Sequence, residues 1–171
     1  FEYLESAYLI KRMHRIDDNA KRLKRARSFK VHLTNPSMRS ALFGPLKDND
    51  EATGYAAESA VWSQWLHQQG MDGVLCYARW KEGRKTLEVD LVNVDLATQN
   101  PVSAVEVKWS DRVVDHTEEW RGIAELASRY NLGHNAVITT KTYSGNIRAG
   151  RLMLRCIPTA LYCYTIAKES S

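Results

Sequence analysis

The chain has few residues of the kinds that define specialised scaffolds. Its 171 residues include only three Cys, four Pro, nine Gly and three Phe. Three cysteines cannot staple a disulfide framework, and Cys76, Cys156 and Cys163 have no metal-type spacing. Cys76 and Cys163 lie in apolar runs and are expected to be buried thiols of a reducing cytoplasm. Scarce Pro and Gly exclude a fibrous or low-complexity chain. No run of about twenty apolar residues exists, so no membrane-spanning helix is expected. The five His are dispersed, and no Ser/Cys–His nucleophile pattern can be assembled. No internal repeat is present. At 44% hydrophobic residues, a chain of this length can bury a real core.

Charge is unevenly spread. Residues 1–30 carry nine Lys/Arg against four Asp/Glu, and the rest carries 15 against 16. Lys21, Arg22, Lys24, Arg25, Arg27 and Lys30 form a dense basic run. Leu4–Ile16 before it suggests a strand, with Asp17-Asp18-Asn19 as a turn. The run suits either contact with a phosphate backbone or a solvated linker or interdomain segment, and both readings stay open.

The most informative stretch is residues 88–108, EVDLVNVDLATQNPVSAVEVK. Strand-like runs at Thr86–Val94 and Val102–Trp109 flank a turn-rich centre. Alternation places Leu87, Val89 and Leu91 on one face and Glu88 and Asp90 on the other. In the second run Val105, Val107 and Trp109 oppose Glu106 and Lys108. A hairpin centred on Thr98 sets Asp90 opposite Glu106 and Glu88 opposite Lys108. Three carboxylates and one ammonium then share a patch of sheet. Opposed carboxylates repel, and a hard divalent cation with oxygen ligands would remove that cost. The alternative is a solvated strand face with a Glu88–Lys108 ion pair. A one-residue slip in register would dissolve the site.

The flanking segments supply helices. Thr53–Gln69 carries Ala57, Val61, Trp62, Trp65 and Leu66 at helical spacing, with Glu58 at the edge of that stripe. A Glu facing the body of the protein needs a cation, a donor or a metal, unless it snorkels to solvent. Gly73–Arg79 is a candidate strand. Thr117–Tyr130 repeats Trp120, Ile123, Ala124, Ala127 and Tyr130 at helical spacing, and Gly122 inside it suits close packing on a sheet. Asn131–Gly133 is a stop signal, and Ala136–Thr140 is a buried strand. Leu152–Ile157 and Leu161–Ile166 are strands or short helical turns around Pro158. Gly83-Arg84-Lys85-Thr86 lacks the Gly spacing of a phosphate-binding loop and is a basic turn. The loop Pro45–Thr53 is polar.

Asp90, a spacer of 15 residues and Glu106-Val107-Lys108 resemble the D…(D/E)xK signature of the restriction-endonuclease-like, PD-(D/E)xK, superfamily. Val89 stands where the name motif has Pro. The resemblance implies a mixed central sheet flanked by helices, in the order α-β-β-β-α-β, with Glu58 as an additional acidic residue. It implies a metal-dependent nuclease in which Asp90, Glu106 and Glu58 bind Mg²⁺ or Mn²⁺ and Lys108 assists the attacking water. More specifically, Lys30–Ser37, Ala41–Gly44, Gly54–Glu58, Glu88–Asp90 and Glu106–Lys108 resemble, in order, the C-terminal region of a group of prokaryotic AAA-type ATPases.

That resemblance implies a division at residue 30. Residues 1–30 would be the basic remnant of a winged-helix module or linker, and residues 31–171 the nuclease-like domain. Its partners would be DNA and an N-terminal ATPase absent here, with Lys21, Arg22, Lys24, Arg25 and Arg27 on the nucleic acid. The opening Phe1 suggests a piece of a longer cytoplasmic protein. The competing expectation is an inactive nuclease fold that binds nucleic acid or serves partner and oligomer contacts of the ATPase.

Overall fold

The computed structural model describes residues 1–18, 23–47, 52–68 and 75–169. These form an α/β fold with one mixed eight-stranded sheet flanked by helices. A short helix α1 (Glu2–Ser6) leads into an antiparallel hairpin, β1 (Ile10–Asp18) and β2 (Leu23–Leu33). Helices α2 (Ser37–Phe43) and α3 (Ala52–Leu66) follow. Then come the antiparallel strands β3 (Leu75–Glu82), β4 (Lys85–Val94) and β5 (Pro101–Val107). Helix α4 (Arg121–Tyr130) crosses to β6 (Ala136–Thr140), followed by β7 (Gly145–Ala149), β8 (Leu152–Pro158) and α5 (Thr159–Glu169). The strand order is β2-β1-β3-β4-β5-β6-β8-β7.

The section α3-β3-β4-β5-α4-β6 follows the expected order of elements. Two differences arise at its ends. Strand β2 runs through residue 30, and β1 pairs in parallel with β3, His14 beside Cys76 and Ile16 beside Ala78. Ile10, Met13 and Ile16 are buried in the common core. The basic N-terminal segment is therefore continuous with the main sheet. At the other end, β7 lies in a stretch where no strand was expected. Its Gly145–Ala149 sequence, GNIRA, buries only Ile147, which leaves almost no alternation to read.

Two apolar layers sandwich the sheet. On one face α3 and α5 bury Val61, Trp62, Tyr162 and Ile166 against Met13, Tyr77, Leu91, Val105, Val137 and Ile157. On the other, α4 buries Ile123, Leu126 and Ala127 against Ala78, Val89, Val92, Ala104, Ile138 and Leu154. Trp62 is thus core, and Trp65 packs against it. Gly122 lets α4 touch β4, because a Cβ there would lie 2.4 Å from the Glu88 carbonyl oxygen. Asn131 ends α4 in the left-handed conformation at φ 53°. Of the three thiols, Cys156 is the buried one, while Cys76 and Cys163 are half-buried. Among the described residues no helix is long and apolar enough to cross a membrane.

Candidate cation site at the β4–β5 divergence

The hairpin turn sets the register. Asp95 Oδ1 accepts hydrogen bonds from Thr98 N at 2.7 Å and Thr98 Oγ1 at 2.9 Å. The Asp95 amide donates to Asn100 O at 2.9 Å, and Gln99 takes a positive φ of 60°. An Asx turn of this kind closes a hairpin locally. Leu91 then pairs with Val105 and Val92 with Ala104, the register of a hairpin centred on Thr98.

Alternation nevertheless fails one residue further along β4. Against β3, Val92 pairs with Cys76 and Val89 with Ala78, so Asp90 and Leu91 both stand opposite Tyr77. This bulge turns two consecutive side chains toward the same face. Leu91 joins the core beneath α3, whereas Val89 belongs to the core beneath α4. The expectation that Leu87, Val89 and Leu91 share a face is therefore corrected at Leu91. The Leu91–Val105 pair ends the ladder. Beyond it, the Val107 amide donates to Asp90 Oδ2 at 2.8 Å, a side chain taking the place of a backbone acceptor.

On the α3 side three carboxylates converge on one ammonium. Lys30 Nζ lies 2.7 Å from Glu58 Oε1, 2.9 Å from Glu88 Oε1 and 3.3 Å from Asp90 Oδ1. Lys30 comes from β2, where it pairs with the buried Met13, and its ammonium lies 5.1 Å from the Tyr77 ring centroid. Burial works against a charged Lys30, but Asp90, Glu58 and Glu88 outweigh it and hold the ammonium well above its usual range. Burial, with Asp90 and Glu88 adding to it, pushes the Glu58 carboxyl up against the pull of Lys30. Arg79 approaches Glu88 from outside at 3.6 Å.

His32 borders the same cleft, two residues beyond Lys30 on β2. It is 5% exposed and stacks on Trp62 at 4.8 Å between centroids. Burial, with Lys30 adding to it, lowers its pKa to about 4, so the ring is neutral at pH 7. Its Nε2 is buried without a hydrogen-bond partner among the described residues and lies 3.9 Å from Glu58 Oε1. The cleft measures about 660 Å³ and also reaches Tyr55, Ser59, Val107 and Lys108.

Glu106 belongs to a second cluster. Its neighbours Val105 and Val107 pack beneath α3, and the buried Glu106 lies close enough to Asp90 for that carboxylate to act on it. Its Oε1 meets Lys108 Nζ at 2.9 Å, and Lys108 lies 3.8 Å from Glu119 Oε2. Burial and the nearby Asp90 push the Glu106 pKa up to about 8 despite Lys108, and its Oε2 has no partner among the described residues. The Lys108 amide donates to Thr139 O at 3.2 Å, which fixes the chain where it leaves the sheet.

The structure thus assembles three carboxylates and one ammonium on one patch, but with a different membership from that expected. Glu58, Glu88 and Asp90 share it with Lys30. Glu106 and Lys108 pair with each other next to it, and Glu88 meets Lys30 instead of Lys108. The missed residues are Lys30 and His32. Their i, i+2 spacing in a strand puts both on one face, a signal masked by the surrounding basic run. Among the described residues no group of three or more His, Cys, Asp or Glu is gathered at metal-binding positions. Of the residues expected on nucleic acid, Lys21 and Arg22 lie outside the described residues. Lys24, Arg25 and Arg27 lie on β2, with side chains outside those described. No family model, no curated protein and no solved structure matches the chain.

Proposed function

We propose that the domain hydrolyses phosphodiester bonds of DNA with Mg²⁺ or Mn²⁺, as the nuclease-like, restriction-endonuclease-type part of a larger AAA-type ATPase. One observation carries the reading. The Asp90 carboxylate faces Glu58 and Lys30 through Oδ1 and takes the Val107 amide through Oδ2, so it joins the acidic cluster to the Glu106-Val107-Lys108 segment. The element order around it, with α3 supplying Glu58, supports the same reading.

The donor set suits a hard cation, since Glu58, Glu88 and Asp90 supply only carboxylate oxygens and already surround a positive charge. Glu58 and Asp90 would hold the ion, with Glu88 beside them. An ion held there would supply Lewis acidity toward the attacking water and the phosphoryl oxygens. Asp90 is oriented for this by the Val107 amide. Lys108, at the cleft wall, stabilises the negative charge that develops on the phosphoryl oxygens. Glu106 holds Lys108 in position through their 2.9 Å contact. Incubation of the chain with duplex, single-stranded and branched DNA tests the reading. Cleavage is expected with Mn²⁺ or Mg²⁺, and loss of cleavage with chelator and with Asp90→Asn. Cleavage by Asp90→Asn at the wild-type rate would sink it.

One observation favours a second reading, an inactive nuclease fold that binds nucleic acid or partners. Glu106 is paired with Lys108 at 2.9 Å, and burial favours its uncharged form, which is a poor metal ligand. DNA retention without cleavage of any of the three substrates would favour it.

A further inference from the structure

Three carboxylates from two elements aim at one point, and that point is an ammonium. Glu58 descends from α3, while Glu88 and Asp90 rise from β4. Repulsion among them is relieved by Lys30 at 2.7–3.3 Å. A divalent ion held by the same oxygens would sit about 2.0–2.2 Å from each. The ammonium therefore props the carboxylates apart, and both cations cannot occupy one position.

His32 is the second, separate sign of a ligand. A buried ring nitrogen with no partner keeps its full desolvation penalty. His32 Nε2 is such an atom, and it lines the cleft beside Glu58. Its 3.9 Å separation from Glu58 Oε1 is too long for a hydrogen bond. Stacking on Trp62 fixes the ring in that position. A metal ion bonded to both atoms would satisfy the nitrogen.

We propose that Glu58, Asp90 and His32, with Glu88 beside them, form a divalent transition-metal site whose occupancy is mutually exclusive with the Lys30 ammonium. Imidazole among the ligands favours a first-row transition metal over Mg²⁺, and the carboxylates keep Mn²⁺ within the set. Glu106 is outside this site. Lys30 must swing out as the metal enters, so the resting chain holds its own counter-cation and binds metal weakly. The proposal rests on the phosphodiesterase reading only for the need of a divalent ion, and it adds the ligand set and the competitor.

Calorimetric titration of MnCl₂ into the full chain tests it, using wild type, Lys30→Met and Lys30→Met/His32→Phe. Lys30→Met is expected to bind one Mn²⁺ at least about tenfold more tightly than wild type, within the range one coupled charge provides. His32→Phe in that background is expected to remove most of the gain. Equal affinity in wild type and Lys30→Met overturns the exclusion and leaves the phosphodiesterase reading standing. Absence of binding in all three overturns both. Lys30→Gln, which keeps a hydrogen-bond donor among the carboxylates, carries the same comparison should Lys30→Met not fold without metal. An unchanged affinity on adding His32→Phe removes His32 from the ligand set.

Discussion

Two ionic clusters adjoin at the β4–β5 divergence, each built on one lysine. On the α3 side Lys30 serves three carboxylates in an open cleft. At the wall of that cleft Lys108 serves Glu106, which is 7% exposed, and reaches Glu119. The first has an excess of negative charge and needs cations. The second has a nearly balanced pair in which burial favours the uncharged acid. One residue in the bulge, Asp90, touches the backbone on the way to the second cluster and the ammonium of the first. The comparison shows that a surplus of carboxylate gathers around one ammonium in an open cleft, whereas the buried Glu106 and Lys108 form a matched pair.

The largest effect is expected where the clusters join. Asp90→Ala removes the Lys30 contact and the Val107 acceptor together. Metal-dependent DNA cleavage should fall to background while circular dichroism remains native, and wild-type cleavage by a folded Asp90→Ala would separate the clusters from function. Next is Gly122, whose α4 position presses on the Glu88 carbonyl from behind the acidic cluster. Gly122→Ala is expected to cost about 1–3 kcal/mol in urea unfolding, because a rigid backbone atom meets the new methyl. An unchanged urea midpoint would mean that α4 does not bear on β4.

The third test sharpens the contrast through pH. The Glu106 pKa rises from an unfolded value near 4.5 to about 8 in the folded chain. The folded state then binds more protons between those values, so stability from this group is complete below pH 4.5 and is lost as pH rises through 8. Glu106→Gln should flatten this slope and stabilise the chain on the order of 2 kcal/mol at pH 9 relative to wild type, read by urea unfolding. A parallel pH dependence of the two proteins would show that Glu106 titrates normally. The smallest effect concerns His32, whose pKa is depressed from 6.5 to about 4. Here the unfolded state binds more protons, so stability is complete above pH 6.5 and is lost as pH falls toward 4. His32→Phe should reduce the loss between pH 7 and pH 4.5 by about 1 kcal/mol, measured with chelator present. An identical acid slope in both proteins would show that His32 is not held neutral.

Much of the fold was legible because its signals are local. The stripe of Val61 and Trp62, the stop at Asn131, the β-branched run of β6 and the turn around Thr98 each rest on neighbours in sequence. The candidate site was legible in part. Glu58 and Asp90 come together, and Glu88 joins them as expected of its face. Glu106 lies near Asp90 but is paired with Lys108, outside the contacts of Lys30. Lys30 was hidden in a basic run that suggested a separate module, and β7 was hidden by a sequence with one buried side chain.

The sequence alone determined the helix and strand periods, the hairpin register around Thr98 and the supply of acids at positions 58, 88, 90 and 106, because these depend on spacing along the chain. Only the tertiary structure decided which lysine meets which carboxylate. A strand's side-chain facing is inverted by one extra residue, and Lys30 reaches Asp90 across 60 residues of chain because β1 docks on β3.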